Sequence, residues 1–172
     1  MLEALIFVVF PFCMVFAAVS DVLSMTIANK VSLLLVASFM AIAPLTGMDW
    51  SVYGMHLIAG ALVLAATFIL FAIGGMGGGD AKLMAATAVW MGFEPVLLEY
   101  LLYASFIGGL LTLATLAYRK SMFADFTRHN MFLRHFADSK VGIPYGVALG
   151  FAGLVIYPKT ALVGWALARL AA

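Results

Sequence analysis

From Leu5 to Val19, and again from Val52 to Ile73, the chain runs through apolar side chains without one lysine, arginine, aspartate or glutamate. A helix needs about 20 predominantly apolar residues to cross the hydrocarbon core of a bilayer, and stretches of this kind supply them. The rest of the chain agrees: 66% of its residues are apolar and 10% charged, with a mean hydropathy of +1.14. Soluble domains hold roughly 45–50% apolar residues. The chain therefore reads as an all-α, polytopic membrane protein. Its 172 residues accommodate about six spans with short loops, as one membrane-embedded domain over residues 1–172 and no separate soluble domain. A net charge of +1 gives no electrostatic reason to expect nucleic acid as a partner. Cys13 is the single cysteine, so neither an internal disulfide nor a CxxC zinc pair is available. It reads as a small core residue, and no metal site is expected.

Hydropathy and loop punctuation place the spans at Leu2 to Ser20, Val31 to Leu45, Val52 to Ile73, Ala81 to Phe93, Val96 to Ala117 and Ile143 to Tyr157. The first run ends in Ala18-Val19-Ser20, as a signal peptide can, but it opens Met1-Leu2-Glu3 without a basic segment and is expected to be a retained span. The fourth and sixth spans are short. Their flanks, Gly74 to Gly79 and Gly142 to Pro144, are expected to dip into the protein, and non-helical backbone at that depth requires a wet or protein-lined cavity. For the apolar stretch from Thr160 to Ala172 two readings stand, an extension of the sixth helix past a kink at Pro158 or a segment at the interface.

Basic residues set the expected orientation. Lys30, Lys82, and the group Arg119, Lys120, Arg128, Arg134 and Lys140 fall in loops on one side, whereas Asp49, Glu94 and Glu99 fall on the other with no basic residue until Lys159. The positive-inside rule puts the first set in the cytosol and the N-terminus outside. The long polar stretch, about 118–141, repeats Met122, Phe126, His129, Leu133 and Phe136 at helical spacing. That pattern suits a helix lying in the headgroup layer, with membrane lipid as its partner, more than a substrate-docking or gating element. His129 and His135 fit neither a metal-binding nor a catalytic pattern and read as interfacial.

Two acids stand out against this background. Asp80 follows Gly77-Gly78-Gly79 at the opening of a hydrophobic helix, and Asp21 closes the first span. A carboxylate at membrane depth costs roughly 2.5 kcal/mol or more, which makes it a functional candidate. Of the eight acidic residues, Glu3, Asp49, Glu94 and Glu99 map to the outer side and Asp125 and Asp138 to the polar loop. Asp21 and Asp80 remain, at one depth. Two close carboxylates cannot both ionise easily, so such a pair shares a proton. One can take a proton from water while the other polarises a peptide carbonyl, a division of labour that needs no metal or other cofactor. The neighbouring glycines would let an extended substrate backbone approach Asp80; close helix packing is the alternative use for such small residues.

At these residues the chain resembles a family. Gly77-Gly78-Gly79-Asp80 looks like the GxGD signature of intramembrane-type aspartyl proteases, and its continuation Ala81-Lys82-Leu83 is similar to the version in type IV prepilin peptidases. Asp21 with Ile27 and Asn29 resembles that family's first aspartate box, and Ile143-Pro144-Tyr145-Gly146 resembles its late Pro-x-Gly element. The resemblance implies a membrane aspartic endopeptidase that removes the leader of a prepilin or pseudopilin at the cytosolic face of the bacterial inner membrane, with Asp21 and Asp80 as the catalytic pair. Gly77, Gly79, Lys82, Asn29, Pro144, Tyr145 and Gly146 would bind substrate or shape the site. Lys82, two residues beyond Asp80, points elsewhere on a helix and reads more as an anchor at the headgroups than as a group tuning the site, and Pro144 to Gly146 equally read as a helix start followed by packing residues. The cysteine-paired cytosolic insertion linked to pilin N-methylation is absent, which is similar to the short, peptidase-only branch associated with Flp-type pili and the tight-adherence secretion apparatus. Pilus-assembly machinery is the partner this implies. Position 28 is Ala where many relatives have Pro, which puts the shape of that turn in question. The competing expectation is a transporter or proton-relay protein using the same two acids, although such sites usually lie near the midplane of internally repeated folds. A purely structural subunit would leave both acids without a reason.

Overall fold

A computed structural model describes residues 1–121 and 142–171. Their regular structure is helical: α1 (Leu2–Ser24), α2 (Asn29–Leu45), α3 (Trp50–Ala72), α4 (Gly78–Met91), α5 (Pro95–Arg119), α6 (Tyr145–Ile156), a 3-10 turn (Tyr157–Lys159) and α7 (Ala161–Leu170). The expected headgroup-layer helix, with His129 and His135, lies outside the described residues.

Three helices, α1, α3 and α5, are long and apolar enough to cross a membrane, and a fourth crossing arises if α6 and α7 count as one span bent by 51° at Tyr157–Thr160. The protein is thus a multi-pass membrane protein by length and composition. Helix α4 has 14 residues, about 21 Å at 1.5 Å per residue, against a hydrocarbon core of about 30 Å. Its short length is compatible with the bundle because it is wrapped by protein: every residue from Leu83 to Met91 is buried, with α3 and α2 as its main neighbours and α5 and α6 touching it. After Pro158 the chain bends and continues as the helix α7. There α7 packs on α1, and the Arg169 guanidinium stands 5.4 Å from the Trp165 ring.

Two of the boundaries that differ from the hydropathy reading matter for the acids. Helix α1 continues past Ser20 to Ser24, so Asp21 sits inside a helix and not in a loop. Backbone hydrogen bonding carries the helix on where the apolar run stops. Helix α4 starts at Gly78, three residues before the expected Ala81, with Gly77 as its N-cap. Gly78 and Gly79 are therefore part of its first turn.

The bundle has an aromatic cluster toward one end and the two acids at the other. In the aromatic cluster Phe10 stacks on Tyr157 with ring centroids 4.1 Å apart, and Trp90 meets Phe10, Phe39 and Tyr157. The polar tips are satisfied by backbone: Trp90 Nε1 donates to the Leu35 carbonyl at 2.8 Å and the Tyr157 hydroxyl to the Ile6 carbonyl at 2.7 Å. Cys13 is buried in α1. At the other end the last turns of α1, α3 and α5 meet the first turns of α4 and α6.

Glycines set how closely these helices approach. A Cβ on Gly150 of α6 would stand 2.8 Å from the Met14 carbonyl oxygen of α1, and one on Gly153 would stand 3.0 Å from Met14 Sδ. The first neighbour is backbone and cannot swing aside, so α6 rests on α1 through a surface without side chains. Gly150→Ala is expected to lower stability by about 1–3 kcal/mol, the usual range for overpacking a tight contact. Thermal unfolding of the purified protein in detergent checks this; an unchanged midpoint would contradict the close α1–α6 approach.

Candidate active site

Asp21 is 5% exposed, and its Oδ2 accepts a hydrogen bond from the Gly146 backbone N–H at 2.7 Å. Gly146 is the second residue of α6, where N–H groups have no partner within their own helix. The carboxylate thus takes a donor that the fold leaves free. Residue type at 146 is constrained by the same contact: a Cβ there would lie 2.8 Å from Asp21 Oδ2 and 2.8 Å from Ile27 Cδ1.

The chain beyond Asp21 turns back sharply. Met25 caps α1 at φ 54°, ψ 30°, and among the described residues it is the one non-glycine with positive φ. Such a conformation is costly for a side chain with a Cβ and persists where the surroundings hold it. Here Met25 N–H donates to the Asp21 carbonyl at 2.8 Å and the Ser20 hydroxyl donates to the Thr26 carbonyl at 2.9 Å. The turn places Ile27 in the interior, where it lies beside both Gly146 and Gly79. Ala28 follows as the N-cap of α2 with φ −63°, the value a proline ring would impose. Alanine at this position therefore takes the same backbone shape.

Asp80 comes from the first turn of α4, where an acid faces unpaired N–H groups and the positive end of the helix dipole. Its carboxylate folds back toward the N-cap, with Oδ2 only 2.7 Å from where a Cβ of Gly77 would be. Oδ1 is buried and has no hydrogen-bond partner. Asp21 and Asp80 both line one cavity of about 620 Å³.

The sequence candidates separate into groups around this cavity. Gly77 and Tyr145 line it together with the two acids. Tyr145 is seated in a notch of α5, where its ring fills the space a side chain at Gly108 would need and its hydroxyl donates to the Ala104 carbonyl at 3.2 Å. Gly146 holds Asp21, and Pro144, buried, is the N-cap of α6. Gly79 is turned away from the cavity and abuts Ile27, where a Cβ would stand 3.2 Å from Ile27 Cβ. Lys82 and Asn29 are not at the acids: Lys82 Nζ donates to Asn29 Oδ1 at 2.9 Å, and neither lines the cavity. Their bond ties the start of α4 to the start of α2. Gly74, Gly75 and Gly77 open onto the cavity, whereas Gly78 and Gly79 pack against Phe71 and Ile27.

Some cavity residues were not singled out from sequence. Met25, Met76, Thr112 and Arg119 also line the space, and Arg119 Nη2 donates to the Gly142 carbonyl at 2.9 Å. Thr112 and Arg119 stand seven residues apart, on one face of α5. A polar stripe of that kind was the available signal.

Comparison with protein families matches residues 8–113 to the type IV leader peptidase family. The chain belongs to that family. The matched stretch contains both Asp21 and Asp80 and stops before Pro144 to Gly146, so the tie between Asp21 and α6 is a finding of the structure. No curated protein and no solved structure matched the chain. Membership of a leader peptidase family makes the protein a protease with prepilin as the substrate class. For this peptidase, Gly146→Ala is expected to displace Asp21 while leaving both carboxylates present. A misplacement of about 1 Å at a reacting group costs roughly 10²-fold in rate. Cleavage of a co-expressed prepilin, followed by its gel shift, measures the loss; full activity would show that the Gly146 contact does not position Asp21.

Proposed function

We propose that the chain is an aspartic endopeptidase in which Asp21 and Asp80 form the catalytic pair and cleave the leader of Flp-like prepilins and pseudopilins. The observation that carries this reading is that a leader peptidase chain turns both carboxylates into one cavity at a helix-end junction. In the reaction a water molecule attacks the scissile carbonyl as one carboxylate takes its proton. The other, protonated, hydrogen-bonds the carbonyl oxygen and stabilises the tetrahedral intermediate, after which a proton passes to the departing amine. The buried, unpartnered Oδ1 of Asp80 is an atom that a shared proton would satisfy.

The orientation proposed is six passes with the N-terminus outside, α2 and α4 included as short crossings within the bundle. Lys30, Lys82 and Arg119 belong to the helix ends that surround or adjoin the acid cavity, so the positive-inside rule places that cavity at the cytosolic face of the bacterial inner membrane. A substrate with a basic leader and a hydrophobic helix left in the bilayer suits such a location. The chain lacks the cysteine pairs associated with pilin methylation, and we assign it cleavage without N-methyltransferase activity, in association with the Flp pilus and tight-adherence machinery. Pro144, Tyr145, Gly146 and Gly77 shape the cavity in this reading, and Lys82 with Asn29 braces α4 against α2.

Asp21→Asn and Asp80→Asn preserve shape and remove the ionisable group. Each is expected to lower prepilin cleavage about 10²–10⁴-fold, the loss typical of a missing catalytic acid or base, while the protein still inserts in the membrane. Normal processing by either variant would sink the pair. Aspartate-dependent solute or proton flux without proteolysis would instead favour a transporter.

A further inference from the structure

A second cavity, of about 570 Å³, lies between α2, α3 and α4 and shares no lining residue with the acid cavity. Each of the three helices contributes one stripe to it at spacings of three, four and seven: Asn29, Ser32, Leu33 and Val36 from α2. From α3 come Leu57, Gly60, Ala61 and Leu64, and from α4 Lys82, Ala85, Ala86 and Val89. Residues at these spacings share one helix face, so the groove runs along all three axes for about two turns. Its hollow follows from the small residues Ala61, Ala85 and Ala86 at its middle, whereas at Gly60 α3 abuts α4 and a Cβ would collide with Val89 Cγ2.

The charge distribution along the groove is one-sided. Lys30 also lines it, so two cations, Lys30 and Lys82, stand beside Asn29 at the end where α2 and α4 begin. Beyond them the lining toward Val36, Leu64 and Val89 is apolar. Lys82 spends one N–H on Asn29, and an ammonium has three to give. An apolar slot opening on the hydrocarbon face of a membrane protein, closed at one end by two cations, matches a molecule with an anionic head and an alkyl tail. We propose that this groove is a binding site for an anionic phospholipid, with its phosphate at Lys30 and Lys82 and one acyl chain laid between α2, α3 and α4. Basic pockets between transmembrane helices are known to take acidic headgroups, and the volume is within the roughly 300–1,000 Å³ of ligand sites. The lipid would clamp the α2–α4 contact from outside, on the face of α4 that does not carry Asp80. The site does not depend on which residues perform cleavage.

Native mass spectrometry of the purified full chain, titrated in detergent with dioleoylphosphatidylglycerol or with dioleoylphosphatidylcholine, tests this. The expected result is tighter retention of phosphatidylglycerol, weakened roughly fivefold by Lys30→Gln or by Lys82→Gln. Ala61→Phe, which fills the groove and keeps both lysines, should weaken it as well, and Lys120→Gln, a cation elsewhere, should leave it unchanged. Equal retention of the two lipids, indifference to both lysine changes or to Ala61→Phe, or an equal effect of Lys120→Gln would overturn the site in favour of diffuse surface charge. The preference of the unmodified chain for phosphatidylglycerol, and its decline as ammonium acetate is raised, needs no variant. Displacement of the lipid by the hydrophobic segment of a prepilin would assign the groove to a peptide helix and overturn the lipid reading.

Discussion

Helix α6 lies against α1 through Gly146, Gly150 and Gly153, three positions where a Cβ would collide with Asp21, Met14 or their neighbours. This close approach is the constraint on which the acid-bearing end of the bundle depends. It brings an unpaired backbone N–H within 2.7 Å of Asp21. A carboxylate buried among apolar helices is costly without a hydrogen-bond donor, and here the donor is backbone, which no rotamer change can withdraw. In lipid, where helices gain little from burying apolar surface against each other, small residues that allow backbone approach are the main means of joining them.

The turn between α1 and α2 extends the same constraint to the second acid. Ile27, folded inward by the left-handed Met25, touches Gly146 of α6 and Gly79 of α4, so one side chain spaces the helices that carry or hold Asp21 and Asp80. Two residues later Asn29 accepts from Lys82. The segments Asp21 to Asn29 and Gly77 to Lys82 thereby interlock in two places outside the cavity. The carboxylates face a space whose walls are braced from behind, which is how a rigid first turn of a helix can present a charge without collapsing around it.

Much of this was legible from particular residues. The charge-free runs mark α1 and α3, and Gly77 to Asp80 marks a helix opening that carries an acid. Sidedness of the loops reduced the partners for Asp80 to Asp21, and the structure brings these two to one cavity. Helix ends were less legible: α1 runs on through Ser20 and Asp21, and α4 begins among glycines, because helical hydrogen bonding does not stop where hydropathy falls. Lys82 illustrates a further limit. Its spacing from Asp80 indicated that it points elsewhere on the helix, but nothing local named Asn29 as its acceptor.

What the amino-acid order determined by itself is the membrane class, the helical secondary structure and the two acids that demand a reason. These follow from local quantities: apolar run length, and the cost of a charge at a given depth. Only the tertiary structure decided that Gly146 feeds a hydrogen bond to Asp21, that Ile27 spaces α4 and α6, and that α2, α3 and α4 leave a basic-ended groove on their far side. Each of these depends on which helix faces meet across long stretches of chain, and that choice is made by the shape of surfaces built from several helices at once.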